Sequence, residues 1–194
     1  FRTIMERMNP ETDIHIFANI SQDTLDYTGP DVNKGSKLVV LGVGEKRRDP
    51  VGVYNGEFKN SLFKNPKVFI PGALVVQGPA YKRNDGIPEV LVKEISIEKF
   101  QFVFLVDNTE ETVQSEHNFL WTIFTRFEPA GDIYGNTRVE KNHICFRGAI
   151  VIDCRIKDWY PQILVPDPKI VKAVDEKFGR IIDKIPSNDK NFTI

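Results

Sequence analysis

The stretch Phe102-Val103-Phe104-Leu105-Val106-Asp107, followed at once by Asn108-Thr109-Glu110-Glu111, decides the fold. An apolar run of Phe, Val and Leu with no alternation fits a strand buried on both faces, as in a parallel sheet covered by helices. Asn108 or Thr109 can cap a helix, and Glu110 and Glu111 place negative charge where the helix dipole favours it. Val113, His117, Leu120, Phe124 and Phe127 then recur at spacings of three and four, with Phe119 and Ile123 widening the stripe. This spacing predicts one helix over 110–127. Strand, polar turn and helix in that order are the unit of an α/β protein.

Working outward, Ile14–Phe17, Lys37–Val43, Ala73–Val76 and Ala149–Ile152 are further short apolar runs and read as strands. Near the end of the sequence, Asp167 can act as N-cap and Pro168 fits the first helical position, where its missing N–H costs nothing. Ile170, Val174, Phe178, Ile181 and Ile185 form one face of that helix, widened by Val171 and Ile182, and Pro186 and Ser187 end it. Weaker helices are expected over 88–97 and 2–8. Ser21–Ser36 and Glu45–Asn60 have no period and read as long loops, which in a compact domain are functional or contact something else. The expected fold is a single α/β domain over 1–194, with a mostly parallel or mixed sheet flanked by helices. Residues 187–194 are expected to form a flexible or partner-bound tail.

Composition narrows the function classes. The chain has 194 residues with 26 basic against 27 acidic side chains, which argues against a nucleic-acid partner, since that would need a clustered basic excess. Its two cysteines, Cys145 and Cys154, cannot build a disulfide framework, so a reducing, cytoplasmic setting is expected. No apolar run approaches the roughly 20 residues of a membrane helix, so no membrane partner is expected. No signal peptide is read. The first residue is Phe1, and the chain is expected to be a piece of a longer protein.

Few constellations carry chemistry by themselves. Gly42 and Gly44 follow an apolar run, but Arg47 stands where a dinucleotide fingerprint needs its third glycine, so a tight turn is the better reading. His15, His117 and His143 are scattered, and neither cysteine belongs to a CxxC pair, so no metal site is read. Cys154 precedes Arg155, and a neighbouring cation can activate a thiol, although an inert cysteine at a strand end is the favoured reading. No Ser sits in a GxSxG elbow. Asp107, at a strand end, can cap the next helix, pair with an arginine or face a ligand, capping or pairing being favoured. In Thr125-Arg126-Phe127-Glu128-Pro129-Ala130-Gly131-Asp132, Pro129 is expected to end the helix, and Glu128 and Asp132 are placed to satisfy Arg126 as a structural cluster. No catalytic residue is assigned.

Taken together, Phe102–Asp107, Asn118-Phe119-Leu120-Trp121, Thr125-Arg126-Phe127-Glu128-Pro129 and Asp132 resemble the C-terminal domain of the UbiD-type decarboxylases and carboxylases. Val165-Pro166-Asp167-Pro168, with Val174-Asp175 and Phe178, resembles the family's last helix. The resemblance covers roughly 67–185. Phe69–Val76 and Gly78-Pro79 are most similar to the anaerobic aromatic carboxylases, which act on phenylphosphate, naphthalene or benzene. That subfamily often has Cys where Ile70–Ala73 stand here, and the Ser21–Ser36 loop does not match the family's pattern.

The resemblance implies an enzyme that exchanges CO2 through prenylated FMN, a divalent metal and potassium. These would be held by N-terminal and central domains whose Arg and two Glu have no match here. This chain would bind no cofactor itself. It would cover the substrate pocket, move against its own N-terminal and central domains, and support a homo-oligomer or a carboxylase complex. A non-catalytic interaction subunit is the alternative. Lys157-Asp158-Trp159 stands where the family places a loop that reaches the substrate, which makes Asp153, Cys154, Arg155 and Ile156 the pocket candidates.

Overall fold

The computed structural model describes residues 1–162 and 164–182, the last without its side chain, and the chain divides into two units, Phe1–Tyr160 and Pro161–Ile194. The first unit is built on a five-stranded sheet. Its strands are β3 (Lys64–Ile70), β4 (Ala73–Gln77), β5 (Phe102–Val106), β6 (Ile133–Glu140) and β7 (His143–Asp153), in the spatial order β3-β4-β5-β7-β6. β4 pairs with β5 and β5 with β7 in parallel, whereas β3 and β6 join antiparallel at the two edges. The sheet is therefore mixed, with a parallel centre.

β5 is buried along its whole length because it separates two cores. Phe102, Phe104 and Val106 face one layer with Met5, Met8, Phe119, Ile123 and Phe127. Val103 and Leu105 face the other, with Phe63, Leu91, Ile97 and Phe100. An unalternating sequence is the direct consequence of having apolar packing on both sides.

The edge strands come from tight hairpins. Between β3 and β4, Ile70 and Ala73 are partners across Pro71-Gly72, and Gly72 has φ 91. Proline then glycine is the pairing a type II turn requires. A Cβ on Gly72 would also lie 2.5 Å from Gln101 Oε1. Between β6 and β7, Lys141 and Asn142 both have positive φ, 48 and 64, as in the two-residue turns whose twist matches that of the strands.

The apolar runs at Ile14–Phe17 and Lys37–Val43 do not enter this sheet. They form a separate antiparallel pair, β1 (Ile14–Ser21) and β2 (Lys34–Val40), with Ile14 opposite Val40 and Ile16 opposite Leu38. These four pack on the first core, while Phe17 and Val39 on the opposite face are exposed. The runs are one-faced, which suits a two-stranded flap on a core and not a central strand. The expected 21–36 loop shortens to 22–33, because both strands extend into it.

Three helices differ from expectation. The expected helix over 110–127 is two, α3 (Thr109–Val113) and α4 (Glu116–Thr125), after α1 (Arg2–Arg7) and α2 (Ile87–Val92). The break falls at Ser115, whose backbone is extended and whose Oγ accepts from the Asn118 N–H at 3.0 Å. Asn108 caps α3 through its Oδ1, which accepts from the Glu111 N–H at 3.2 Å. Pro129 opens the one-turn helix α5 (Pro129–Asp132), filling the N-terminal position that tolerates a missing N–H. The weak helix over 88–97 is α2 followed by a 3-10 turn at Ile95–Ile97.

In the second unit, α6 (Pro168–Ile182) starts at the predicted residue, with Asp167 Oδ1 accepting from the Lys169 N–H at 2.8 Å. Ile170, Val174, Phe178 and Ile181 are exposed along it. Ile185, Pro186, Ser187 and the expected 187–194 tail lie outside the described residues.

Candidate functional site

Parallel pairing brings three strand ends together. Gln77 is opposite Val106, and Leu105 opposite Asp153, so the chain leaves β4, β5 and β7 on the same side of the sheet. Open α/β sheets bind ligands beyond such carboxyl ends. Gly78 N–H still donates to Val106 O at 3.0 Å and Cys154 N–H to Leu105 O at 2.8 Å, which holds the first residue of each exit in the ladder's direction. The Ile156 N–H donates to Asp107 Oδ2 at 2.8 Å and ties the last two exits together.

Two buried cations organise the space above the strand ends. Arg155, 0% exposed, donates from Nε and Nη2 to the two oxygens of Asp153 at 2.9 and 2.8 Å. Its Nη1 donates to Asp85 Oδ2 at 2.8 Å and to Pro79 O at 3.2 Å, and the guanidinium lies 5.3 Å from the centre of the Tyr81 ring. This fork uses the planar donor geometry that only arginine has. Lys157 Nζ donates to Arg126 O at 2.6 Å and to Asp153 O at 2.7 Å, and pairs with Asp132 Oδ2 at 3.0 Å. Buried charges of this kind are tolerable only when paired and hydrogen-bonded.

Burial and pairing pull the carboxylates apart. Desolvation dominates at Asp132 and pushes it up to about 6, against the pull of Lys157. It also raises Asp107, against the hydrogen bond from Ile156 and the Arg126 charge. At Asp85 burial opposes ionisation, but the Arg155 hydrogen bond and the backbone donors prevail and hold it below its usual range. Burial in the first core pushes the Cys154 thiol well up.

Over this network opens a cleft of about 360 Å3. Tyr81 and Trp159 stand in its wall with ring centroids 5.7 Å apart and planes at 86°. Thr28 and Pro30, from the loop joining β1 and β2, line another side. The neighbouring Tyr27 packs on Tyr160 at 5.1 Å and anchors that loop. Asp85, Glu89, Glu128, Asp132 and Asp153 are among the residues lining the cleft, against Lys82.

The four pocket candidates occupy different places. Asp153 lines the cleft and Arg155 is locked behind it. Cys154 is 0% exposed in the core, and Ile156 is half-buried beside Asp107. The expected cluster of Arg126 with Glu128 and Asp132 is rearranged. Arg126 pairs with Asp107 at 3.7 Å, Glu128 accepts from Ser36 Oγ, and Asp132 pairs with Lys157. The reason is geometric: Pro129 starts α5, so Asp132 turns back to accept from the Glu128 N–H at 2.6 Å, toward β7. Sequence reasoning missed Asp85 and Tyr81, which carry no local signal. It did not place Lys157 among the pocket residues, although the Lys157-Asp158-Trp159 segment was its marker.

Elsewhere, His15 and His143 are not scattered, since their rings lie 5.1 Å apart across β1 and β7. Gly44 has φ 85, and a Cβ on Gly42 would sit 2.9 Å from the Ile4 Cα, so the pair serves a turn packed on α1. Among the described residues no group of three or more His, Cys, Asp or Glu is placed to hold a metal ion. Nor is any described helix long and apolar enough to cross a membrane.

Comparison with known proteins finds similarity to carboxy-lyases of the UbiD kind over parts of the chain. Residues 1–42 match the family model described as the 3-octaprenyl-4-hydroxybenzoate carboxy-lyase, or UbiD, C-terminal domain. One relative, from Chlamydia pneumoniae, is named as a subunit of 4-hydroxybenzoate decarboxylase. It is 35% identical over 178 residues, which is 91% of this chain and 30% of that protein. The chain thus spans about 30% of the length of the curated relatives it matches. Among solved structures, the UbiD-class enzyme HmfF of Pelotomaculum thermopropionicum in complex with prFMN is 18% identical. The match covers 67% of this chain and 26% of that one, at a TM-score of 0.37. The vanillic acid decarboxylase of Sedimentibacter hydroxybenzoicus in its closed form is 13% identical over 59% of this chain and 27% of that one, at 0.40. The family-model match falls on residues where the sequence reading placed no resemblance, and the 178-residue alignment extends well beyond 67–185.

The cleft does not fit the flavin that the resemblance implies. A flavin mononucleotide carries an anionic phosphate, which binds at backbone N–H groups or cations. Here the lining holds five acidic residues and one lysine.

Proposed function

We propose that this chain is the C-terminal portion of a prenylated-FMN-dependent aromatic decarboxylase or carboxylase, in which it covers the substrate pocket and supports assembly. The observation that carries this reading is the 35% identity, over 91% of the chain, to a protein named as part of a 4-hydroxybenzoate decarboxylase. By that name the substrate is an aromatic acid of the hydroxybenzoate kind, ahead of the phenylphosphate, naphthalene and benzene chemistry of the most similar subfamily. The flavin, the divalent metal and potassium are held by the remaining domains.

The division of labour has a physical basis. Exchange of CO2 at an aromatic carbon gains from a closed site, where water is excluded and electrostatic interactions strengthen. A domain cross-braced by buried ion pairs can close as one body and keep catalytic groups off mobile segments. Of the four candidates at the exit of β7, Asp153, which lines the cleft, and the half-buried Ile156 are the ones this domain offers to the pocket, with Arg155 holding Asp153 in place from behind. Being a cytoplasmic homo-oligomer or part of a larger carboxylase assembly is the accompanying proposal.

The test is decarboxylation by the complete polypeptide loaded with prenylated flavin. Conversion of 4-hydroxybenzoate to phenol and CO2, abolished when residues 1–194 are deleted and restored when they are supplied, is the expected result. Full turnover without these residues would overturn the covering role. No exchange of labelled CO2 with any hydroxybenzoate would overturn the enzyme reading and favour a non-catalytic interaction role.

A further inference from the structure

His15 and His143 stand on different sheets, and the fold brings their imidazoles together. The first lies on β1 of the flap, the second at the start of β7 in the main sheet. Their ring centres are 5.1 Å apart, with planes at 52°. The backbones that carry them are fixed independently of the rings. Phe146 N–H donates to Pro10 O at 3.1 Å and Arg147 pairs with Glu11 at 3.2 Å, so the segment entering β1 is fastened to β7. Both histidines are half-buried. The Nε2 of His143 is buried with no hydrogen-bond partner among the described residues, and a buried ring nitrogen left unanswered costs free energy until something binds it.

The spacing is that of two imidazoles sharing one ion. Zinc and its neighbours sit about 2.0–2.1 Å from each ligating nitrogen, hence about 3.2 Å from each ring centre, and a tetrahedral angle at the ion then sets the two centres about 5 Å apart. The terminal torsion of histidine is soft, so each ring can turn a nitrogen toward that common point without backbone movement. The charges nearby do not oppose a cation. Glu140, opposite His143 in the register, and Glu11 are balanced by Arg138 and Arg147 in one chain of ion pairs. That balance leaves those carboxylates engaged, which disfavours a hard ion such as magnesium, whereas imidazole suits zinc, copper and nickel.

We infer that His15 and His143 form a binding site for a divalent late first-row transition metal such as zinc, which bridges the flap to the main sheet with water in its remaining positions. Neither residue is among those lining the cleft, so the site is independent of the proposed function. Two protein ligands make an open, exchangeable site and not a closed structural centre. Its effect falls on the flap. The loop between β1 and β2 contributes Thr28 and Pro30 to one wall of the cleft, and an ion held at His15 and His143 restrains that flap against β7.

The test uses the 194-residue chain without an affinity tag, stripped with EDTA, and zinc chloride as the probe. Calorimetry is expected to show saturable binding of one ion per chain. The ring C–H resonances of His15 and His143 should move with it, and those of His117, on α4, should not. His15→Asn and His143→Asn, each checked for an unchanged circular dichroism spectrum, are each expected to weaken binding at least about tenfold, since even indirect partners of a metal contribute that much. His117→Asn should leave the affinity unchanged. At free zinc a hundred times Kd the unfolding midpoint of the wild type should rise by up to about 5–10 °C, and the His15 and His143 variants should lose that rise. Magnesium chloride at the same concentration should produce neither effect.

Absence of saturable zinc binding, or binding that survives both substitutions, would overturn the proposal. Loss in only one of the two variants would overturn it as well, because a bridge needs both rings. Loss in Cys145→Ser with both histidine variants unaffected would place the ion at the thiol and end the proposal. Where a variant fails to fold, the wild-type resonances decide: movement of both His15 and His143 supports the bridge, and either one standing still overturns it.

Discussion

The guanidinium of Arg155 meets the carboxylate of Asp85, 70 residues earlier in the chain, at 2.8 Å. Asp153, two residues before Arg155, grips the other edge of the same group. The ion pair therefore clamps the segment after β4 to the exit of β7, across the ends of three strands.

Arg155→Met is expected to destabilise the domain by about 3–5 kcal/mol, because it abandons two carboxylates in a buried setting. The cost comes from the orphaned acids and less from the lost pair. Combining it with Asp85→Asn and Asp153→Asn should therefore recover part of the loss. Urea denaturation of the single and triple variants checks this, and a triple variant weaker than the single one would contradict it.

Acidification from pH 7 to 4.5 is expected to raise stability. Asp132 is pushed up to about 6 in the fold, against 3.8 ordinarily. Between those values the folded chain holds more protons than the unfolded one, so stability falls as pH rises through that window. The gain on acidification is about 2 kcal/mol at most. Asp107, also raised, acts in the same direction. Asp85 is lowered, so its contribution is lost only at more acid pH, as pH falls through its folded value. Denaturation midpoints of the wild type and Asp132→Asn across this range decide the matter, since the variant should show a flatter profile.

Neither cysteine should react in the native state. Cys154 is 0% and Cys145 3% exposed, and burial pushes the Cys154 thiol up, away from the reactive thiolate. A thiol reagent should label both only in denaturant. Fast native labelling of Cys154 would revive the activated-thiol reading of its neighbour Arg155.

Ser115→Ala should cost about 1 kcal/mol, since Ser115 caps α4. Within one continuous helix over 110–127 the same change would be neutral or stabilising, because alanine is the better helix former. Thermal denaturation distinguishes the two.

The centre of the sheet was legible because its signal is local. β5, β4 and the core of β7 announce themselves as unbroken apolar runs, and Asn108 and Asp167 as caps. The edge strands were missed for the same reason. β3 reads Lys-Asn-Pro-Lys before Val-Phe-Ile, and β6 mixes Gly, Asn, Thr and Arg, so their strand character comes from the partner more than from the residues. Ser115 was overlooked because the apolar stripe runs through it at helical spacing.

The site divides in the same way. Asp153 and Arg155 stood beside a recognisable segment, but which of them opens to the cleft depends on Asp85 and Lys157, contacts made only once distant strands are paired. The Arg126, Glu128 and Asp132 group was read from adjacency. Its real partners, Asp107, Ser36 and Lys157, come from three other elements.

The two faces of β5 differ in the bulk they present: Phe102 and Phe104 point into one layer, Val103 and Leu105 into the other. A slip of one residue would drive two benzyl groups into the room meant for smaller aliphatic ones. Bulk itself thus disfavours misthreading, so the alignment of the strand termini is held by side-chain size as well as by the charged pairs beyond them.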